Sequence, residues 1–232
     1  MAASATSPRP APRALRWSGA VLALLVAAWA ALVLGAPLDS MQGAIQKILY
    51  VHVPCAFSAY LGFAVTAAAG ALYLWRGDER YDRVAASAAE VGVVFCTLNI
   101  LSGPIWARGT WGHWWAWDPR LTVTLLLWFV YLAYLLLRSF TEGSARTARF
   151  AAVYGVVGFL AVPLNYFAIE LLGEAAMHPD NLQRGSLGQG MGWPFLVSVL
   201  TGLAAFAHLL LLRLDAAERR SRLGAWAPGD AP

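Results

Sequence analysis

Residues 111–137 read WGHWWAWDPRLTVTLLLWFVYLAYLLL, a tryptophan-rich segment followed by a long apolar run. The run from Leu121 to Leu137 contains no charged residue and approaches the roughly 20 residues that a helix needs to cross a bilayer. Asp118 directly before Pro119 is a common helix start, because Asp caps helices well and proline suits the first helical position. The segment therefore predicts a membrane-spanning helix that begins just after a cluster of indole rings.

The rest of the chain has the same apolar character. Hydrophobic residues make up 59% of its 232 residues and charged residues 13%, against roughly 45–50% and about 25% in soluble domains. A soluble fold of this size could not bury so much apolar surface. Six runs are long enough to span a bilayer: Trp17–Leu34, Val53–Trp75, Val84–Trp106, Leu121–Leu137, Phe150–Leu172 and Phe195–Leu214. The sequence therefore predicts an all-α integral membrane protein with six transmembrane helices and short loops.

The first apolar run has an alternative interpretation as a cleaved signal peptide, with Arg9, Arg13 and Arg16 as its charged region. However, the run exceeds the roughly 7–15 apolar residues of such a peptide, and no clear A-x-A cleavage site follows it. We therefore expect a retained helix.

Basic residues are distributed unevenly between the two sides of this six-helix arrangement. Thirteen of the 17 fall on the side of the two termini and the second and fourth loops. The four on the other side are Lys47, Arg108, Arg120 and Arg184. Because cytoplasmic loops carry the excess of Lys and Arg, both termini are predicted to be cytoplasmic. The expected organisation is a cytoplasmic tail over 1–16, a six-helix domain over 17–214 with outward loops 35–52, 107–120 and 173–194, and a cytoplasmic tail over 215–232.

The third loop concentrates four tryptophans: Trp111, Trp114, Trp115 and Trp117. An aromatic belt at the membrane interface is one explanation, since tryptophan favours that position. It explains poorly why the cluster is flanked by Gly112, Asp118 and Arg120. A helical segment would place the first three rings on one face, and an extended segment would place the first, third and fourth there. Either arrangement presents flat indoles that suit a large, flat, apolar ligand.

Three of the four histidines fall on the same outward side as the tryptophans. His52 is expected just before the start of the second helix, and His178 lies in the fifth loop. Two outward histidines could supply both axial imidazoles of one haem iron, and His113 in the third loop could replace either of them. The fourth, His208, lies inside a helix and is most simply a packing or hydrogen-bonding residue.

A few other residues have chemistry that suits either a site or a structural role. Arg108 and Arg120 flank the tryptophans, where they could pair with ligand carboxylates or anchor the interface. Glu90 and Glu170 lie near the ends of apolar runs, and we expect Glu90 to be a partner or packing contact. Cys55 could offer a thiolate to iron, although a small buried residue is the simpler expectation.

Several function classes are excluded by what the sequence lacks. The basic residues are scattered between apolar runs rather than forming a stripe, so nucleic acid is not an expected partner. No Cys-x-x-Cys-His motif is present, so the chain does not carry covalently attached haem of the c type. The sequence has no nucleotide-binding loop, Ser-His-Asp arrangement or zinc-ligand spacing. Any energy input must therefore come from a partner.

The segment from Trp111 to Thr122 resembles the tryptophan-rich (WWD) signature of the haem-handling membrane proteins. Within that group the whole chain is similar to the cytochrome c maturation protein C family (CcmC, haem exporter protein C). The similarity covers the six spans, a first histidine in a Val-His-Val-Pro setting, the signature between spans three and four, and a second histidine between spans five and six. Related haem-lyase-type proteins are usually much larger, with additional spans and soluble segments.

The resemblance implies a non-enzymatic component of cytochrome c biogenesis that binds haem b transiently and without a covalent bond. His52 and His178 would ligate the haem iron at the extracytoplasmic face of the cytoplasmic (inner) membrane. The surface for haem and a chaperone would comprise Trp111, Trp114, Trp115, Trp117 and Asp118, with Arg108 and Arg120 beside it. Implied partners are a membrane-anchored haem chaperone, ABC transporter subunits, a small single-span subunit and membrane lipid. Alternatives are a lyase that attaches haem directly to apocytochrome c and a membrane scaffold without haem.

Overall fold

The computed structural model describes residues 12–140, 144–172, 178 and 187–224. Its α-helices are α1 Arg13–Gly35, α2 Leu49–Arg76, α3 Glu79–Trp111, α4 Pro119–Ser139, α5 Ala145–Gly158, α6 Ala161–Tyr166, α7 Ala168–Leu172 and α8 Gly192–Gly224. A short 3₁₀ helix, Ala44–Ile48, leads directly into α2. Six helical segments in this part of the chain are long and apolar enough to cross a membrane, the fifth being α5 together with α6. The predicted six-span, all-α fold is confirmed.

Large apolar side chains cover the outside of the helices. On α1, for example, Trp17, Leu24 and Leu34 are each more than 70% exposed. Such a surface would be costly in water, but it is the surface that a helix presents to lipid.

The helices α2 and α3 form the centre of the fold and approach each other closely through small residues. A Cβ added to Gly62 of α2 would lie 2.7 Å from the Cα of Gly92 on α3. Ala88 and Ala89 of α3 are fully buried. Small residues allow helix backbones to approach in membranes, where close packing supplies much of the association energy.

A stacked aromatic pair ties α4 to this central pair of helices. The rings of Phe63 on α2 and Tyr131 on α4 lie 3.7 Å apart between centroids and are nearly parallel. The Tyr131 hydroxyl lies within hydrogen-bonding distance of the backbone oxygens of Phe63 and of Gly155 on α5, at 3.4 and 3.3 Å. This buried polar group therefore joins three helices.

Two polar pairs join α8 to its neighbours, and they give Glu90 and His208 the structural roles expected from the sequence. Glu90 of α3 forms an ion pair with Arg213 of α8, in which Nη2 donates to Oε1 at 2.6 Å. The His208 Nδ1 lies 2.8 Å from the hydroxyl oxygen of Ser18 on α1. Each pair holds α8 against a neighbouring helix.

The second span begins earlier than predicted, which places His52 inside α2 rather than before it. Pro54 lies in the sixth position of α2 and has no N–H to donate to the carbonyl of Tyr50. The indole Nε1 of Trp29 on α1 donates to that oxygen instead, at 3.4 Å. The helix therefore tolerates the proline because a neighbouring helix contacts the carbonyl that it leaves unpaired.

The fifth span is interrupted, whereas the sequence predicted one continuous run over 150–172. Pro163, the third residue of α6, cannot donate to the carbonyl of Phe159. That carbonyl accepts from Val162 at 2.9 Å, and α5 ends at Gly158. The third span also continues to Trp111, which shortens the outward loop to residues 112–118.

Candidate functional site

A cavity lies at the end of the molecule where α2 and α4 begin and α3 ends. It contains about 1340 Å³ of atom-free space, including the part that opens to the outside. Five of the predicted site residues line it together: His52, Trp111, Trp115, Arg120 and His178. Residues far apart in the sequence thus converge on one space, as in a pre-formed small-molecule site.

His52 projects from the first turn of α2 against α3. Its Nδ1 lies 3.0 Å from the hydroxyl oxygen of Ser102, and its Nε2 lies 3.2 Å from Nδ2 of Asn99. The ring of Trp106 meets it edge-on at 5.7 Å between centroids. Gly103 leaves room for the imidazole, because a Cβ there would lie 3.2 Å from Cε1 of His52. The orientation of this imidazole is therefore fixed from several sides.

Asp118 links the position of His178 to the start of α4. Its Oδ1 accepts from the backbone N–H of Leu121 at 2.8 Å, which confirms the predicted N-cap. Its Oδ2 accepts from the backbone N–H of His178 at 2.9 Å. The carboxylate is only 3% exposed and does not itself line the cavity. One buried carboxylate thus fixes both the start of α4 and the backbone of His178 at the cavity.

The structure divides the four tryptophans of the third loop into two pairs. Trp111 ends α3, the chain turns at Gly112 with a φ of 79°, and both Trp111 and Trp115 line the cavity. Trp114 and Trp117 are 60% and 76% exposed and lie outside the lining. The indole Nε1 of Trp115 is buried and has no hydrogen-bond partner among the described residues. It is a donor that a ligand in the cavity could satisfy.

The remaining predicted residues of this loop occupy different positions. His113 does not line the cavity, and its ring lies 6.2 Å from that of Trp111. Arg108 donates to the carbonyl oxygen of Gly112 at the end of α3 and is also outside the lining. Arg120 lies at the cavity, where its Nη2 donates to the backbone oxygen of Tyr166 at 2.7 Å.

A second group of polar cavity residues was not predicted from the sequence. The hydroxyl of Tyr60 on α2 donates to Oδ1 of Asn165 on α6. Nδ2 of Asn165 donates to the hydroxyl of Thr124 at 2.8 Å and to the backbone oxygen of Arg120 at 3.2 Å. Asn99 is likewise a buried amide within a membrane span. Strongly polar residues inside apolar runs were the available signal, because hydrocarbon disfavours them unless they have partners.

The chemistry of the lining fits haem as the ligand. Imidazole is a common axial ligand of haem iron, arginine pairs well with carboxylates, and the buried indole N–H of Trp115 is a further donor for them. Aromatic and aliphatic side chains form most of the remaining wall. Cys55 does not contribute, because its side chain is buried in the helix core and outside the lining.

The fold and the cavity define a multi-pass membrane protein with a largely apolar cavity at one end of its helix bundle. The family described as Heme exporter protein C matches residues 2–226. The chain belongs to this family, which confirms the resemblance seen in the sequence. It is therefore a haem-handling membrane protein of cytochrome c biogenesis.

Curated relatives carry the same description. The "Heme exporter protein C" of Bradyrhizobium diazoefficiens is 32% identical over 217 residues, which cover 90% of this chain and 81% of the relative. That of Paracoccus denitrificans is also 32% identical and covers 91% and 92%. That of Escherichia coli K12 is 29% identical and covers 77% and 73%.

Proposed function

We propose that the protein binds haem b non-covalently in this cavity and passes it to a membrane-anchored haem chaperone. His52 and His178 are the axial ligands of the iron. The observation that carries the proposal is their convergence on one cavity, although 125 residues lie between them in the sequence. Both side chains are only partly exposed, so a bound iron would be shielded on two faces.

The other cavity residues bind the periphery of the haem. Trp111 and Trp115 contact the macrocycle, while Arg120 and the indole N–H of Trp115 receive its carboxylates. Each aromatic contact adds about 0.5–1.5 kcal/mol beyond the buried area. Two such contacts provide only a few kcal/mol, so iron ligation and carboxylate pairing determine retention. Breaking these few bonds releases the haem, as delivery requires.

The exposed tryptophans form the surface on which the chaperone docks. Trp114 and Trp117 present large apolar areas beside the cavity without lining it. Tryptophan is enriched in the binding hot spots of protein interfaces. We expect Trp114→Ala and Trp117→Ala to slow haem transfer to the chaperone while leaving the haem absorption spectrum unchanged. An altered spectrum with normal transfer would contradict this division of roles.

The cavity faces the extracytoplasmic side of the cytoplasmic (inner) membrane, with both termini cytoplasmic. The support is the distribution of basic residues, 13 of 17 of which fall on the side of the termini. A cysteine introduced at Ala116 should react with a membrane-impermeant maleimide added to intact spheroplasts, and one at Ala217 should not. The reverse labelling would overturn the orientation.

Energy for transport comes from partners, because the sequence has no nucleotide-binding motif. We propose ABC transporter subunits and a small single-span subunit as these partners. Purification of the intact complex should therefore recover ATPase activity together with this chain. The protein itself positions haem rather than catalysing a side-chain acid–base reaction.

Absorption spectra of purified protein test the proposed ligands. Wild type from haem-replete cells should show a low-spin haem spectrum that each of His52→Ala and His178→Ala perturbs and that the double variant loses. His208→Ala is the matched control, because His208 bonds Ser18 away from the cavity, and it should leave the spectrum unchanged. An unchanged spectrum in the double variant would exclude both ligands and direct attention to His113.

A further inference from the structure

The imidazole of His52 is held between two side chains of α3, one at each ring nitrogen. The hydroxyl of Ser102 donates to the backbone oxygen of Leu98 at 2.8 Å, so its oxygen is left to accept from Nδ1 at 3.0 Å. Asn99 Nδ2 donates to the backbone oxygen of His52 at 3.0 Å, which identifies this atom as the amide nitrogen. It can therefore only donate to Nε2, at 3.2 Å. These partners select the tautomer with the proton on Nδ1 and the lone pair on Nε2.

We propose that Asn99 and Ser102 are positioning residues for haem ligation by Nε2 of His52. Ser102 fixes the tautomer and the ring orientation, and Asn99 occupies the Nε2 lone pair while no haem is bound. The inference rests on the proposed function, because it takes His52 as an iron ligand. A metal-bound histidine commonly donates its other ring N–H to a neighbouring acceptor, which is the role assigned to Ser102.

Loading and release then exchange one partner of Nε2 for another. When haem binds, the lone pair leaves the Asn99 N–H and ligates the iron, and the reverse exchange accompanies release. No proton changes position, because Nδ1 keeps its hydrogen toward Ser102 throughout. The amide of Asn99 must turn away from Nε2 to make room for the iron, because its Nδ2 lies 3.2 Å from that atom in the unloaded protein. Such a donor suits a protein that must release its cargo, because the Nε2 lone pair has a hydrogen-bond partner whenever no iron is bound.

The two residues are expected to affect haem affinity in opposite directions. Ser102→Ala should weaken binding by about 10- to 100-fold, the usual loss when the partner of a metal-bound histidine is removed. Asn99→Leu removes the competing donor and should strengthen binding and slow release by roughly 2- to 10-fold. Purely structural roles would weaken binding in both variants.

Haem titrations and release rates of the purified full-length protein test these opposite effects. Ser198→Ala is the matched control, because Ser198 on α8 also donates to a carbonyl four residues earlier, at 2.6 Å, and lies outside the lining. It should bind haem as wild type does. In the background of His52→Ala, Asn99→Leu should have no further effect. Weaker binding in Asn99→Leu, or an effect that persists without His52, would overturn the inference.

The tautomer is tested without haem, by nitrogen NMR of protein labelled with ¹⁵N-histidine. We expect a protonated Nδ1 and an unprotonated Nε2 for His52. The signals of this residue are assigned because they disappear in His52→Ala. Asn99→Asp should reverse this assignment, because a carboxylate accepts from Nε2–H. A protonated Nε2 in wild type would refute the positioning role alone. If His52→Ala binds haem as wild type does, the proposed function fails instead, whatever the tautomer.

Discussion

Asp118 offers a sharp test because its two oxygens have two separate tasks. Oδ1 caps α4 through Leu121, and Oδ2 holds the backbone of His178. The carboxylate is 3% exposed, so neither bond competes directly with solvent. Loss of a helix cap costs about 0.5–2 kcal/mol, and loss of a hydrogen bond to a charged group costs about 1.5–3 kcal/mol. Asp118→Ala should therefore lower the free energy of unfolding by about 2–5 kcal/mol.

Asp118→Ser separates the two tasks. The serine hydroxyl can cap α4, but one short side chain has no second oxygen for the His178 N–H. This variant should be more stable than Asp118→Ala by about 0.5–2 kcal/mol. Both variants should lose haem affinity equally, by roughly 10- to 100-fold, because both remove the bond that holds the backbone of His178. Equilibrium unfolding in detergent micelles and haem titration measure the two quantities.

A matched control comes from the cap of α3. The side chain of Asp78 accepts from the backbone N–H of Arg80 at 2.8 Å and is not among the cavity residues. Asp78→Ala should lower stability by about 0.5–2 kcal/mol and leave haem affinity unchanged. The reasoning is refuted if Asp118→Ser binds haem like wild type, or if it is no more stable than Asp118→Ala.

Three further substitutions test other contacts. Gly103→Ala should weaken haem binding several-fold in titrations, because the added Cβ would lie 3.2 Å from Cε1 of His52 and displace the ring. An unaltered affinity would contradict a role for the orientation of this ring. Gly62→Ala should lower the free energy of unfolding by about 1–3 kcal/mol, because the added Cβ would lie 2.7 Å from the Cα of Gly92. A decrease of less than about 0.5 kcal/mol in equilibrium unfolding would show that α2 and α3 separate easily. Trp115→Phe should weaken the binding of haem by about 3- to 10-fold, because it removes the indole N–H proposed to bind a haem carboxylate. Binding of haem dimethyl ester, which has no free carboxylate, should not weaken. Equal losses for both ligands would exclude the indole N–H as a donor to the carboxylates.

The number of spans could be predicted because hydropathy depends only on local composition. The ends and interruptions of the helices could not, since they depend on hydrogen-bond partners. Pro163 breaks the fifth span where the carbonyl of Phe159 takes a different donor. Pro54 is accommodated within α2 because Trp29, on another helix, donates to the carbonyl of Tyr50. Both prolines were visible in the sequence, but their different outcomes were not.

The site was predictable to a similar degree. Because successive spans alternate in direction, the sequence predicted His52 and His178 at the same end of the bundle. In the structure both residues line one cavity. The division of the tryptophans depends on the turn after Trp111 and could not be derived from spacing. The partners of His52 depend on the packing of α2 against α3, so Asn99 and Ser102 had no signal beyond being polar residues in an apolar run.

Chemical rescue tests the central claim, that the iron is held between two imidazoles, most directly. His52→Gly and His178→Gly each leave a space in which free imidazole can bind as a replacement ligand. The account predicts that haem-loaded forms of both variants lose the low-spin spectrum and regain it when imidazole is added, whereas the spectrum of wild type does not change. If imidazole restores neither spectrum although haem remains bound, the two histidines do not ligate the iron and the cavity has another role.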